Sequence, residues 1–175
     1  MNSLADVQRY RETFGENKLV LDTNLLLLLL IGGFKIDSLA KCKCTEKYSQ
    51  EDYELLLKII SFFEKQIIIT PHILAEFSNL SKMDIRDPQI VEYITCVVEQ
   101  LRGFQEKHSP LVELLSLDIA LLARFGFPDM GIIETAKVLN ACILTDDGNL
   151  SRHANSSGIA NCFFQYIKNS EYQLS

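Results

Sequence analysis

Acidic residues recur at comparable places in this 175-residue chain. Asp22 ends the apolar run Leu19-Val20-Leu21, and Glu76 follows Ile67-Ile68-Ile69-Thr70-Pro71. Asp129 follows Gly126-Phe127-Pro128, and Asp146-Asp147 follows Cys142-Ile143-Leu144-Thr145. Carboxylates gathered in one place are the ligands of hard divalent cations. Such a cation screens a phosphodiester and activates water. Each acid also has an ordinary reading. Asp22-Thr23-Asn24 suits a helix N-cap, Asp129 suits a helix start, and Glu76 suits a salt-bridged helix residue.

The elements that must position these acids alternate between strands and helices. Leu19–Leu21, Gln66–Thr70 and Cys142–Thr145 read as strands buried on both faces, with Asn161–Phe164 as a fourth short strand. Ser3 to Phe14 predicts a leading helix, and Glu16-Asn17-Lys18 the turn into the first strand. The apolar stretch Leu25–Ile31 predicts a helix packed on the sheet and stopped by Gly32-Gly33. Phe34 to Tyr48 has no clean period and reads as a loop or irregular insertion. Ser49-Gln50-Glu51-Asp52 has capping-box spacing ahead of a helix over Tyr53–Lys65. Thr70-Pro71 opens the helix carrying Glu76, and Asp87-Pro88 opens a long one reaching about Gln105. Ser109–Leu115 and Asp118–Arg124 are shorter helices, Asp129 starts one to about Asn140, and Gly148–Ser157 is closed by Gly158. Strands alternating with helices predict a largely parallel sheet, in which strand ends from one edge bring distant acids together.

Composition fits that architecture. A hydrophobic share of 47% with 23% charged residues is that of a globular chain, and its length supports a sizeable core. The net charge of −6 excludes a generally basic coat but not a local basic patch. Met1 to Tyr10 holds no apolar core of a signal, and Leu25–Ile31 is far too short to cross a bilayer. Five cysteines without a framework are expected in a reducing cytoplasm, and Cys42-Lys43-Cys44 lacks the second pair of a zinc site. Cys142 is expected to be a small core residue, and His72, His108 and His153 surface or capping residues.

Four segments, taken in order, resemble a PIN domain, the metal-dependent ribonuclease fold of many prokaryotic toxins and RNA-processing nucleases. They are Leu19-Val20-Leu21-Asp22-Thr23-Asn24, Thr70-Pro71-His72-Ile73-Leu74-Ala75-Glu76-Phe77, Asp129-Met130-Gly131-Ile132-Ile133-Glu134-Thr135-Ala136 and Ile143-Leu144-Thr145-Asp146-Asp147-Gly148-Asn149-Leu150. The resemblance implies one PIN-like domain over residues 1–175. Its fold is a three-layer α/β/α sandwich on a mostly parallel sheet of four to five strands. Asp22 and Glu76 lie 54 positions apart, longer than in compact toxin members, with 34–48 as the extra material.

Function is likewise implied by the resemblance. It is Mg²⁺- or Mn²⁺-dependent endonucleolytic hydrolysis of single-stranded or tRNA-like RNA, leaving 5′-phosphate and 3′-hydroxyl ends, in the cytoplasm. Asp22, Glu76, Asp129 and Asp147 match the catalytic acids, with Asp146 at the variable position as a further metal candidate. Thr23, Asn24 and Thr145 match the polar residues that orient them. Lys35, Lys41, Lys43, Lys47, Arg124 and Arg152 are candidate phosphate contacts. An antitoxin or other regulatory protein and a second copy of the chain are the implied partners, and no membrane is. A catalytically silent PIN fold that binds RNA or protein is the alternative. A receiver domain wants an acidic pair near its first strand, and a haloacid-dehalogenase-type phosphatase an acid where Asn24 stands. Repulsion among the acids is expected to leave some protonated without metal. Losing one of them, by Asp22→Asn or Asp147→Asn, is then expected to raise the metal-free melting temperature.

Overall fold

Leu19-Val20-Leu21 has apolar side chains on both faces of its strand, so it must be covered on both sides, and this requirement places it centrally. The computed structural model describes residue 1 and residues 3–14, 18–63, 66–81, 89–115 and 118–173. In it β1 (Leu19–Leu21) pairs in parallel with β2 (Ile67–Ile69) on one side and β4 (Cys142–Thr145) on the other. β3 (Gln105–Glu106) and β5 (Asn161–Phe163) complete a five-stranded, all-parallel sheet of order β3-β2-β1-β4-β5. Helices flank this sheet in an α/β/α sandwich, the predicted fold class. After β3 the chain crosses to the far side of β1, so the carboxyl ends of β1 and β4 flank the switch point where such sheets bind ligands.

Helix α2 (Thr23–Phe34) follows β1 directly and is apolar all round, and Leu25 to Ile31 are buried throughout. A helix with no polar face has to be enclosed. It packs on α3 (Gln50–Phe62), α4 (Pro71–Ser81), α5 (Gln89–Leu101) and a 3₁₀ helix (Ile36–Lys41). Gly32 and Gly33 do not stop α2. They lie inside its last turn, where a Cβ on Gly32 would stand 2.5 Å from the Tyr53 ring and one on Gly33 would meet the Gln100 side chain.

Other boundaries also differ from expectation. The segment 34–48 is not irregular, because the 3₁₀ helix and following turns bury Leu39, Cys42, Thr45 and Tyr48. Cys42 and Cys44 form a disulfide within it, so the cysteines are not all free. Cys142 and Cys162 are buried side by side on β4 and β5, Sγ to Sγ 3.6 Å. The Ser49–Asp52 capping box is complete, and α3 starts at Gln50 rather than Tyr53 and ends before Lys65. Helix α5 ends at Leu101 rather than near Gln105, which belongs to β3. The turn at Glu16-Asn17 and the Asp87-Pro88 helix start lie outside the described residues.

Helices α1 (Leu4–Phe14) and α6 (Leu111–Leu115) agree with their expected spans. Helix α7 (Ile119–Leu139) joins two expected helices across a kink at Gly126, and α8 (Gly148–Ser156) follows β4. Helix α9 (Phe164–Tyr172) was not expected. Its Lys168 and Tyr172 bond the buried Asp52 carboxylate at 2.8 and 3.0 Å, tying it to α3. Among the described residues no helix is long and apolar enough to cross a membrane.

The tight seat of Gly32 yields a test. In an open helix Gly→Ala gains about 1 kcal/mol. Here overpacking against Tyr53 costs about 1–3 kcal/mol, so Gly32→Ala is expected to lower the melting temperature. Gly32→Ala in a Tyr53→Ala background should recover the helix gain. A stabilising Gly32→Ala in the wild-type background contradicts this packing.

Candidate metal centre

Asp22 is the residue after β1, and α2 begins directly behind it, so it is both the strand end and the helix N-cap. Its Oδ1 accepts from the Leu25 N–H at 2.8 Å. Its Oδ2 accepts from the Thr145 hydroxyl at 2.5 Å and the Asp146 N–H at 2.7 Å. Capping and site membership are therefore one arrangement, not alternatives. The side chain is only 3% exposed, and burial pushes its pKa from 3.8 to about 6 against the opposing pull of those three donors. Thr145, the last residue of β4, also accepts from the Asp147 N–H at 2.8 Å, so one hydroxyl couples two of the acids.

Helix α4 starts as its sequence indicates, with the Thr70 hydroxyl accepting from the Ile73 N–H at 3.3 Å and Pro71 as the first helical residue. Glu76 lies one turn further on, half-buried, and its Oε2 accepts from the Thr23 hydroxyl at 2.5 Å. A hydroxyl, not a basic side chain, meets this carboxylate. Asp147 caps α8, its Oδ1 accepting from Asn149 N–H at 2.6 Å and Leu150 N–H at 3.2 Å. Asn24 is half-buried beside Thr23 at the start of α2.

Asp129 completes the group. Gly126, with φ +73° and ψ 176°, breaks α7, and Pro128 restarts it with Asp129 in the first turn. Burial and then the charges of Asp147, Asp22 and Glu76 push its pKa from 3.8 to about 7. Among the described residues no hydrogen bond or cation lowers it. Asp129 thus feels three carboxylates from three other elements, and the least compensated acid carries the largest penalty.

Asp146 has a further set of donors of its own, and its charge adds to the rise at Asp22. Its Oδ2 accepts from Lys47 Nζ at 2.7 Å and from the Tyr48 hydroxyl at 2.6 Å, and its Oδ1 accepts from Gln165 Nε2 at 2.5 Å. Both oxygens are taken and the side chain is 2% exposed, so it anchors the 36–48 segment and α9 to the end of β4. Burial and the Asp146 bond push the Tyr48 hydroxyl well up, so it stays a donor. Of the candidate phosphate contacts, Lys47 pairs with Asp146 at 2.7 Å and Lys35 with Glu92 at 3.2 Å. Lys41 and Lys43 are exposed on that segment. Arg124 and Arg152 are exposed near the opposite wall, Arg124 over the Phe125 ring and Arg152 on Asn149. Tyr48 and Gln165 had no signal in sequence, since their only link to the site is tertiary.

An oxygen-only, carboxylate-rich group suits a hard divalent cation in kind and charge. Asp22, Asp129, Asp147 and Glu76 are the residues that could hold one. As placed, no three acidic, histidine or cysteine side chains among the described residues close on a point that would seat an ion. The fit is therefore one of chemistry and charge, strongest at Asp129.

The sign of the pH dependence follows from the raised values. A carboxylate whose folded pKa exceeds its unfolded one costs nothing below the unfolded value. Its cost grows as pH rises toward the folded value and persists above it. For Asp129 that window runs from about pH 4 to about pH 7. Asp129→Asn is thus expected to raise the metal-free melting temperature at pH 8, by roughly 2–4 °C per kcal/mol relieved, and to leave it unchanged near pH 4. An equal shift at both pH values contradicts this. Asp22 behaves otherwise. Each of its oxygens accepts from a backbone N–H, so either orientation of an amide there sets N–H against N–H. The stabilisation expected from sequence for Asp22→Asn therefore does not carry over.

No family model matches the chain, and no curated protein does either. Among solved structures it is similar to "a domain of a functionally unknown protein from Methanocaldococcus jannaschii DSM 2661". That match has 16% identity and a TM-score of 0.44, covering 84% of this chain and 90% of that one.

Proposed function

We propose that the chain is a PIN-like, Mg²⁺- or Mn²⁺-dependent endoribonuclease that hydrolyses phosphodiester bonds to leave 5′-phosphate and 3′-hydroxyl ends. The observation that carries this reading is Asp129, a half-buried carboxylate that feels three others and has no described residue to offset its charge. Keeping such a group costs stability unless a cation joins it. The order of the four acidic motifs supports the same reading.

When bound, a divalent ion would screen the phosphodiester charge and make water a better nucleophile at neutral pH. The residues that would hold it are Asp22, Asp129 and Asp147. Asp22 is oriented by Thr145 and by the backbone, so its carboxylate needs no reorganisation to keep its place. Thr23 occupies Oε2 of Glu76, leaving Oε1 to accept a proton from the attacking water. Asp146, bonded by Lys47, Tyr48 and Gln165, braces the end of β4 against the 36–48 segment and α9.

One observation favours the rival reading, a silent fold that binds RNA or a protein without cutting. No three described acidic, histidine or cysteine side chains form a group that could hold an ion. Cleavage assays separate the two. Purified protein with Mn²⁺ is expected to cut single-stranded RNA internally, and Asp129→Asn to lower the rate at least about a hundredfold, a loss of roughly 3 kcal/mol of barrier lowering. Asp129→Asn is preferred to Asp22→Asn because it should not weaken the fold. Undiminished cleavage by Asp129→Asn removes that residue from the reaction. Tight RNA binding without any cleavage in Mg²⁺ or Mn²⁺ favours the silent module.

A further inference from the structure

Two rings from α4 and α7, His72 and Phe127, meet close in sequence to the acids Glu76 and Asp129. Phe127 lies two residues before Asp129, between Gly126 and Pro128, and is 41% exposed although it is a large apolar ring. The positive φ of Gly126 turns the backbone there, and an L side chain at that position would be strained. Beside Phe127 lies His72, one turn ahead of Glu76 on α4. The two rings are nearly parallel, with planes 28° apart and centroids 6.5 Å apart. On the other side of the kink Phe125 packs on the His153 ring at 5.0 Å, and the Arg124 guanidinium covers Phe125 at 4.8 Å. Burial, then the charges of Lys137 and Arg124, hold the His153 ring below its usual pKa. In a chain of net charge −6, the rings of Phe127 and His72 thus stand within two and four residues of Asp129 and Glu76, and Arg124 lies three residues before Phe127.

Exposed rings beside cations are the usual surface for single-stranded nucleic acid, because every base offers a π-face and every linkage a phosphate. We propose that Phe127, with His72 beside it, is a stacking platform for one base of a single-stranded nucleic acid, and that Arg124 holds a neighbouring phosphate. This places the linkage next to the stacked base against Asp129, and it rests on the reading of the acids as a phosphodiesterase centre. Single strands are the class selected, since a duplex keeps its base faces covered.

Binding of a fluorescein-labelled oligouridylate of about twelve nucleotides, followed by anisotropy in chelator at low salt, tests the platform apart from cleavage. Phe127→Ala is expected to weaken binding about tenfold with an unchanged salt slope, Phe127→Leu to do the same, and Phe127→Trp to keep wild-type affinity. Arg124→Ala is expected to flatten the salt slope by about one. Unchanged affinity in Phe127→Ala, full affinity in Phe127→Leu, an equal loss on duplex RNA, or no binding by the wild type overturns the proposal. Melting curves with and without Mn²⁺ on the same proteins separate the two readings. A wild type that Mn²⁺ fails to stabilise counts against the metal centre while the stacking result stands. A normal Mn²⁺ response with unaltered RNA affinity in Phe127→Ala overturns the platform alone.

Discussion

A carboxylate buried at the end of a central strand is the constraint on which this structure turns. Asp22 is tolerable there only because three donors converge on it: the Leu25 N–H, the Thr145 hydroxyl and the Asp146 N–H. Two of those donors belong to β4 and its end. The bonds therefore fix the pairing of β1 with β4, the start of α2, and the direction of the chain leaving β4. From that one knot Asp147 reaches the N-terminus of α8, and Asp146 bonds Lys47, Tyr48 and Gln165. Adjacent acids thus face different surroundings, one toward the other carboxylates and one into a set of donors.

Much of this was legible in the sequence, for definable reasons. The central strands are short apolar runs ending in polar residues, and an acid at such an end is marked by the contrast. Pro71 and Pro128 flag helix starts through their fixed φ, which located Glu76 and Asp129 on their helices. The role of Asp146 was not legible. Its partners lie 99, 98 and 19 residues away, and nothing local distinguishes it from Asp147. Strand β3 has two exposed polar residues and no hydrophobic pattern, so only its pairing with β2 reveals it. Gly32-Gly33 looked like a helix stop because the same residue type serves both as terminator and as close-contact site. The neighbours Tyr53 and Gln100 decide between them.

The segment between α2 and α3 shows how an insertion becomes part of the site's scaffold. It buries Leu39, Cys42, Thr45 and Tyr48, is tied internally by Cys42–Cys44, and ends on Asp146. Its lysines divide accordingly. Lys47 and Lys35 are spent on carboxylates, while Lys41 and Lys43 remain exposed. Arg124, over the Phe125 ring, comes instead from α7, so charge that sequence distributes along the chain is sorted by the fold into bracing and surface roles.

If the acids form a centre for a divalent cation, binding must be accompanied by proton release. At pH 6.5 Asp129, raised to about 7, is mostly protonated, and Asp22, raised to about 6, is partly so. Metal favours the ionised forms, so binding must expel those protons. Calorimetric titration of chelator-stripped protein with Mn²⁺, in buffers of different ionisation enthalpy, measures the number released. The account predicts saturable binding with about one proton released per ion at pH 6.5 and almost none at pH 8.5. No binding at millimolar Mn²⁺, or binding whose heat is independent of the buffer at pH 6.5, would contradict it.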